Sequence, residues 1–448
     1  MSTPSLPSTN REWHRRVWAL SWPIIISNLS VPLAGVVDTA VVGHLPDPIH
    51  IGAVAIGALI FSTLYWLFGF LRMSTTGFVA QSVGAEDEAE LGATVIRAGI
   101  LAGLVGFILI AAQYPIREAS FFFMMGTSEV EAIAREYIDI RIYGAPAALL
   151  NWVVLGLLFG LQRMRAALVV QLVLNVCNVI LDVLFVVGFG WGVSGVAVAT
   201  IISEYLALFI GLWLIRHNIN AFIINIDWQL TLSVDRVRMT FIVNINIMLR
   251  SLFALLVFFY FTSLSARFGD IILAANVILL HLLNLIAYGM DGFANAVEAL
   301  GGNAFGRKNL TAFRRSVRIT TFWAFLFAIG FTMIYWALGP FFIGLMTDIG
   351  SVKVTAEDFL PWIVALPLIS VWGFQLDGIF IGATHSKEMR NSMFVAMIVF
   401  LISVWLLTPK LENDGLWLSM CFFMLARAIT MSLYYPRIEK ALKVDIIK

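Results

Sequence analysis

The stretch AALVVQLVLNVCNVILDVLFVVG, residues 166–188, decides how the whole chain is read. Its one charged residue is Asp182. As a helix rising about 1.5 Å per residue it reaches roughly 35 Å, enough to cross a hydrocarbon layer of about 30 Å. The surrounding sequence is of the same kind: 448 residues, 60% hydrophobic, 13% charged, with a mean hydropathy of +0.90. Soluble domains are roughly 45–50% apolar and about 25% charged, so the composition excludes a water-soluble globular enzyme. Lys and Arg total 29 against 28 Asp and Glu, a formal net charge of +1 that gives no bulk field to recruit nucleic acid. Cys177 and Cys421 each sit in apolar runs, which reads as neither a disulfide framework nor a metal-thiolate site. The opening MSTPSLPSTNREWHRR places Arg11, Arg15 and Arg16 ahead of an apolar stretch too long for a signal-peptide core, and reads as a retained cytoplasmic end.

Segments long and apolar enough to span recur along the chain, separated by short polar or Gly/Pro-bearing breaks. They predict twelve spans, near 18–43, 51–82, 91–112, 133–160, 166–188, 193–215, 239–265, 271–301, 312–337, 357–382, 391–408 and 414–435. Residues 113–133 mix aromatics with charges and read as an interfacial helix leading into the fourth span. Positive residues stay on the cytoplasmic side. One set of loops collects Arg163, Arg165, Arg216, Arg236, Arg238, Arg307, Lys308, Arg314, Arg315, Arg318, Lys387 and Arg390, together with the basic residues near both ends. The other holds Arg117, Arg135, Arg267, Lys353 and Lys410. Both termini are therefore expected to be cytoplasmic.

The sequence also repeats. QSVGAED at 81–87 aligns with NAFGRKN at 303–309, GAVAI at 52–56 with AANVI at 274–278, and Gly156 and Gly160 with Gly378 and Gly382, all at a shift of 222 (303 − 81 = 222). Duplicated bundles are common in transporters. The expectation is an all-α integral membrane protein of two parallel six-helix halves, 1–215 and 239–448, joined by a cytoplasmic linker at 216–238.

Carboxylates inside spans are expensive, about 2.5–3.5 kcal/mol on insertion scales, and mark ion paths, proton relays or substrate contacts. The candidates are Asp38, Asp182, Glu204, Asp291, Glu298 and Asp377. Asp38 and Asp182 fall at similar depth, a few residues short of the outer ends of spans one and five, and could share a pocket. Asn175, Asn178 and Asp182 stripe one face of span five, and Asn151 and Thr200 add polar groups from spans four and six. Two carboxylates brought together in low dielectric tend to share one proton, so protonation becomes a switch. Glu204 reads equally well as a functional carboxylate or as merely a lumen-facing or helix-pairing residue. In the second half, Arg250 at depth requires a partner, which is Asp291 or Asp377. Glu298 is expected near the inner surface, solvated at the interface. Pro23 and Pro32 flank the part of span one leading to Asp38; Pro146, Pro361 and Pro367 also fall within or near spans. No GxxxxGK[ST] phosphate loop, HExxH or GxSxG occurs, and nothing else points to an enzyme.

WPIIISNLSVPLAGVVDTAVVGHL at 22–45, NVCNVILDVLFVVGFGWGVSGVAVAT at 175–200 and YGMDGFANAVEALGGNAFG at 288–306 resemble the multidrug and toxic compound extrusion (MATE) transporters, DinF-like branch. The resemblance covers essentially the whole chain. It implies two six-helix lobes in a V and export of amphipathic, cationic drugs or toxins by a monomer in a bacterial inner membrane. Beyond membrane lipids it implies no other partner and no cofactor, with H⁺ or Na⁺ as the coupling ion. Carried over by position, Asp38 looks like the acid whose protonation bends span one at Pro23. Asn178, Asp182, Thr200, Asn151 and Asn175 look like its partners. Two tyrosines, Tyr137 and Tyr143, are candidates for the pocket, and Ala34 stands where some relatives carry another. Span seven shows Asn244, Asn246 and Arg250 and no carboxylate, which favours protons, although Asp38, Asn178 and Asp182 also offer the oxygen donors Na⁺ takes. The rival reading is a flippase for a lipid-linked precursor. That activity calls for a cationic cavity, whereas Arg250 reads as nearly alone at depth.

Overall fold

The structure is a computed structural model and describes residues 6–43, 47, 49–123, 127–216 and 226–444. The expected cytoplasmic ends at 1–5 and 445–448, and residues 217–225 of the expected linker, lie outside the described residues.

Among these residues every regular element is helical: α1 Asn10–Val42, α2 Ile49–Leu67, α3 Phe70–Ala85, α4 Glu88–Ala111, α5 Gln113–Phe123, α6 Ser128–Arg141, α7 Ala145–Gly160, α8 Met164–Asp182, α9 Gly192–Leu214, α10 Trp228–Thr231, α11 Val234–Arg267, α12 Asp270–Gly306, α13 Leu310–Met346, α14 Gly350–Gly382 and α15 Ser386–Val444. Ten stretches among the described residues are long and apolar enough to cross a membrane. The last, Ser386–Lys443, is too long for one crossing at about 1.5 Å per residue. It is interrupted at Glu412, where φ is +48°. With its two arms counted separately and α1 added, the described residues supply the twelve expected crossings. The chain is a multi-pass membrane protein. α5 is the short helix expected ahead of the fourth span, and α11 begins at Val234, before the expected 239.

The chain divides into two compact units. One comprises the residues up to Ile25, Gly84–Glu86 and everything from Ile242; the other comprises Ile26–Val83 and Asp87–Phe241. The switch along α1 falls two residues after Pro23. In the first unit α12, α13 and α14 pack against one another, and α14 packs on α15. There the start of α1 is held by ring contacts of Trp18 with Phe293 (5.6 Å) and Trp323 (5.1 Å). In the second unit α8 packs on α9, α4 on α7, and α2 on α6.

The repeat is visible in the backbone. Glu86 and Lys308 adopt left-handed φ of 58° and 54°, and Gln162 and Thr384 do so at 59° and 56°, each pair 222 residues apart. Asp87 accepts from the Glu90 amide to cap α4, as Asn309 accepts from Ala312 to cap α13, again at that spacing. A Cβ on Gly156 would stand 2.7 Å from the Arg72 carbonyl oxygen and one on Gly160 would stand 3.0 Å from that of Thr76. Gly378 and Gly382 meet the carbonyl oxygens of Ala294 and Glu298 at 2.2 and 2.6 Å, the same contacts 222 residues on. Only glycine lets these backbones approach so closely, which is the usual logic of small residues between membrane helices.

Candidate functional site

In the second unit α8 is built inside out. Asn175, Asn178 and Asp182 are buried, whereas Val176 and Ile180 on the opposite face are more than half exposed. A helix facing lipid exposes its apolar side, so the polar stripe turns inward. At Asp182 the α-helix gives way to a turn of π-helix, Val183–Gly188, a distortion that recurs at functional sites.

Asp182, on α8, is fully buried, and its carboxyl group lies within hydrogen-bonding reach of that of Asp38 on α1. No donor among the described residues reaches either Asp182 oxygen or Oδ1 of Asp38. Around the pair, Asn178 donates to Thr200 Oγ1 (3.3 Å) and Thr200 donates to the Val196 carbonyl (2.8 Å). Asn175 donates to Ser30 Oγ on α1 (2.6 Å). Of the two candidate tyrosines, Tyr137 is buried and faces the two acids electrostatically, while Tyr143 is half exposed. Gly57 makes room for the Tyr137 ring, since a Cβ there would stand 2.3 Å from its Cδ1. The side chain of Ala34 lies outside the described residues.

Sequence reasoning missed Arg141. It is buried at the end of α6 and binds Glu204 of α9 through both guanidinium nitrogens, one at 2.9 Å and the other at 2.5 Å. The Phe61 and Tyr65 rings lie 5.2 and 5.4 Å from its guanidinium carbon. Glu204 is thus a helix-pairing residue. Asn151, expected among the polar groups around the acids, donates to the Glu204 backbone carbonyl at 2.9 Å. Arg141 also feels the charge of Asp38, so the ion pair and the acid pair adjoin electrostatically. The signal available was an arginine inside the fourth span, in YIDIRIYGAP at 137–146, with no explanation of its own.

In the first unit Arg250 pairs with Asp377, and so does Arg427, which sequence reasoning also overlooked. Arg250 is therefore not alone at depth. Asp291 adds a smaller electrostatic attraction at Arg427. Glu298 is not solvated at an interface. It is 1% exposed, because α14 packs across its backbone at Gly382.

The MatE family model matches the chain twice, over residues 23–184 and 247–407, once in each half of the repeat. The chain belongs to the MatE family. It is 39% identical to DNA damage-inducible protein F of Escherichia coli (strain K12), over 94% of this chain and 92% of that protein. It is 26% identical, over 64% of each chain, to a probable multidrug resistance protein NorM of Listeria monocytogenes serotype 4b (strain F2365). A solved structure described as an outward-facing conformation of a multidrug resistance MATE family transporter of the MOP superfamily superposes with a TM-score of 0.87 at 19% identity, covering 96% of this chain and 97% of that one.

Proposed function

We propose that the chain is a secondary active efflux antiporter for amphipathic, cationic drugs or toxins, working as a monomer in a bacterial inner membrane with both termini cytoplasmic and driven by inward proton movement. The observation that carries the coupling is the Asp38–Asp182 pair: two carboxyl groups within hydrogen-bonding reach, with no donor to Asp182 among the described residues. Two adjacent carboxylates in low dielectric repel unless a proton lies between them. That proton supplies the missing donor and ties α1 to α8. Its loss leaves like charges to separate, and Pro23, which removes one backbone donor from α1 close to where the helix passes from one unit to the other, gives α1 a place to bend. Cationic substrate favours the deprotonated, anionic state; protonation favours the state of lower substrate affinity. Linkage then exchanges one for the other. The multidrug name of the Listeria relative supports the substrate class. The Asp/Asn/Thr set also has oxygen donors for Na⁺, and the same assay separates the two ions.

The flippase reading draws no support from Arg250 and Arg427, because both guanidinium groups are engaged by the Asp377 carboxylate.

The test is efflux of a cationic dye from proteoliposomes under an imposed pH or sodium gradient, for wild type and Asp38→Asn. Efflux driven by the pH gradient and lost in the variant supports the proposal. Efflux driven by sodium alone reassigns the pair as a cation site, and efflux indifferent to Asp38→Asn removes the pair from the coupling path.

A further inference from the structure

The first unit carries a second built site, lined by residues of neither charge cluster. A cavity of about 840 Å³ opens beside the amino-terminal end of α13, lined among others by Asn10, His14, Arg314, Arg315, Arg318 and Phe322. The α13 residues 311, 314, 315, 318, 319 and 322 recur every three or four positions, so one helix face forms the wall. We propose that this cavity binds the phosphate head group of an anionic phospholipid.

Charge accounting supplies the first argument. Arg314 is matched by Glu439, whose carboxylate accepts from Nε at 2.8 Å and from a terminal nitrogen at 2.5 Å. Arg315 is held only by neutral oxygens, the Ser8 carbonyl at 3.4 Å and the Asn10 side chain, with the Trp13 ring 6.0 Å from its guanidinium carbon. Among the described residues no carboxylate pairs with Arg315 or Arg318. The cavity thus holds two uncompensated guanidinium groups. Their planar forks suit phosphate oxygens.

His14 adds a neutral donor. Its Nδ1 accepts from the Trp323 indole N–H at 2.9 Å, and the Phe322 and Trp323 rings pack edge-on at 6.1 and 5.9 Å. An imidazole accepting at Nδ1 carries its proton on Nε2, which is left to donate.

Depth makes the ligand a lipid. From Ile319 to Met346 α13 carries no charged residue, and at about 1.5 Å per residue that stretch is roughly 42 Å long, more than the roughly 30 Å of hydrocarbon. Arg318 therefore marks a head-group layer. One turn further in, Phe322, Phe325 and Leu326 are exposed, in line for acyl chains. Retention of positive charge on the cytoplasmic side needs arginines in the loop; it needs neither a cavity nor unmatched arginines next to exposed aromatic surface.

Full-length protein in neutral detergent is titrated with phosphatidylglycerol, phosphatidylcholine or inorganic phosphate and read by native mass spectrometry. Phosphatidylglycerol should be retained roughly twenty-fivefold better than phosphatidylcholine, as two basic residues at about fivefold each would give. The double variant R315Q/R318Q should lose that preference, and Glu439→Gln, which frees Arg314, should raise phosphatidylglycerol affinity by about fivefold. Equal binding of the two lipids, an unchanged R315Q/R318Q, or inorganic phosphate displacing phosphatidylglycerol at equal concentration overturns the proposal. Melting temperature in neutral detergent checks that the double variant is folded; if it is not, the direction of the Glu439→Gln effect decides.

Discussion

Replacing Glu204 by Gln should destabilise the protein strongly, and the effect should vanish when its partner is also removed. Both members of the Arg141–Glu204 pair are buried, and among the described residues no other carboxylate bonds the guanidinium. Its remaining polar contact is Tyr65 Oη at 3.5 Å, too long to compensate a lost charge. Breaking a buried pair from one side costs about 3–5 kcal/mol, because the surviving charge stays in low dielectric. A glutamine side chain would keep one acceptor, and the Asn151 bond goes to the backbone, so the lower end, about 3 kcal/mol, is expected for Glu204→Gln, with a similar loss for Arg141→Met. The double variant R141M/E204Q removes both charges and should cost only about 1 kcal/mol, far below the roughly 6 kcal/mol that additivity would give. Gly144 offers an independent probe: a Cβ there would stand 2.4 Å from Glu204 Oε2 and 2.5 Å from an Arg141 terminal nitrogen, so Gly144→Ala should wedge the pair apart. The assay is equilibrium unfolding in mixed micelles, followed by circular dichroism. Strict additivity, or a Glu204→Gln variant within about 0.5 kcal/mol of wild type, would refute the reasoning.

Asp377→Asn should cost about 3–5 kcal/mol, since Arg250 and Arg427 both bind this carboxylate; a melting temperature equal to wild type would contradict it. Gly382→Leu should lower the melting temperature sharply, because α14 and α12 meet backbone to backbone there, while Gly330→Ala, facing open space, should be neutral or stabilising by up to about 1 kcal/mol. Asn276→Leu should cost about 1–3 kcal/mol by stranding the Asn413, Ser265 and Trp417 side chains bonded to it, and an unperturbed unfolding midpoint would count against that.

Much of the fold was legible in the sequence because the bilayer imposes one length and one composition on every crossing. The repeat was legible because the same glycines serve the same helix approaches 222 residues apart. Asp38 and Asp182 could be matched from depth alone, since a carboxylate within a span is costly enough to be informative by itself. The Arg250–Asp377 pair was legible as one of two alternatives, but the other buried ion pairs were not. Arg141 and Glu204 lie 63 residues apart, and Arg427 and Asp377 lie 50 apart. An arginine in an apolar segment gives its depth but not the facing helix. Nor do span and depth name the partner of the Asn151 amide, which is the Glu204 backbone carbonyl. Nor does hydropathy reveal that α1, continuous as a helix, passes from one unit to the other near Pro23.

The coupling role of the acid pair is tested most directly by following protons during substrate binding to purified protein in weakly buffered detergent. If substrate favours the deprotonated pair, adding a cationic dye to wild type must release up to about one proton per bound dye. Asp38→Asn should bind the dye and release none. Undiminished release from Asp38→Asn, or saturable binding to wild type without release, would contradict the account.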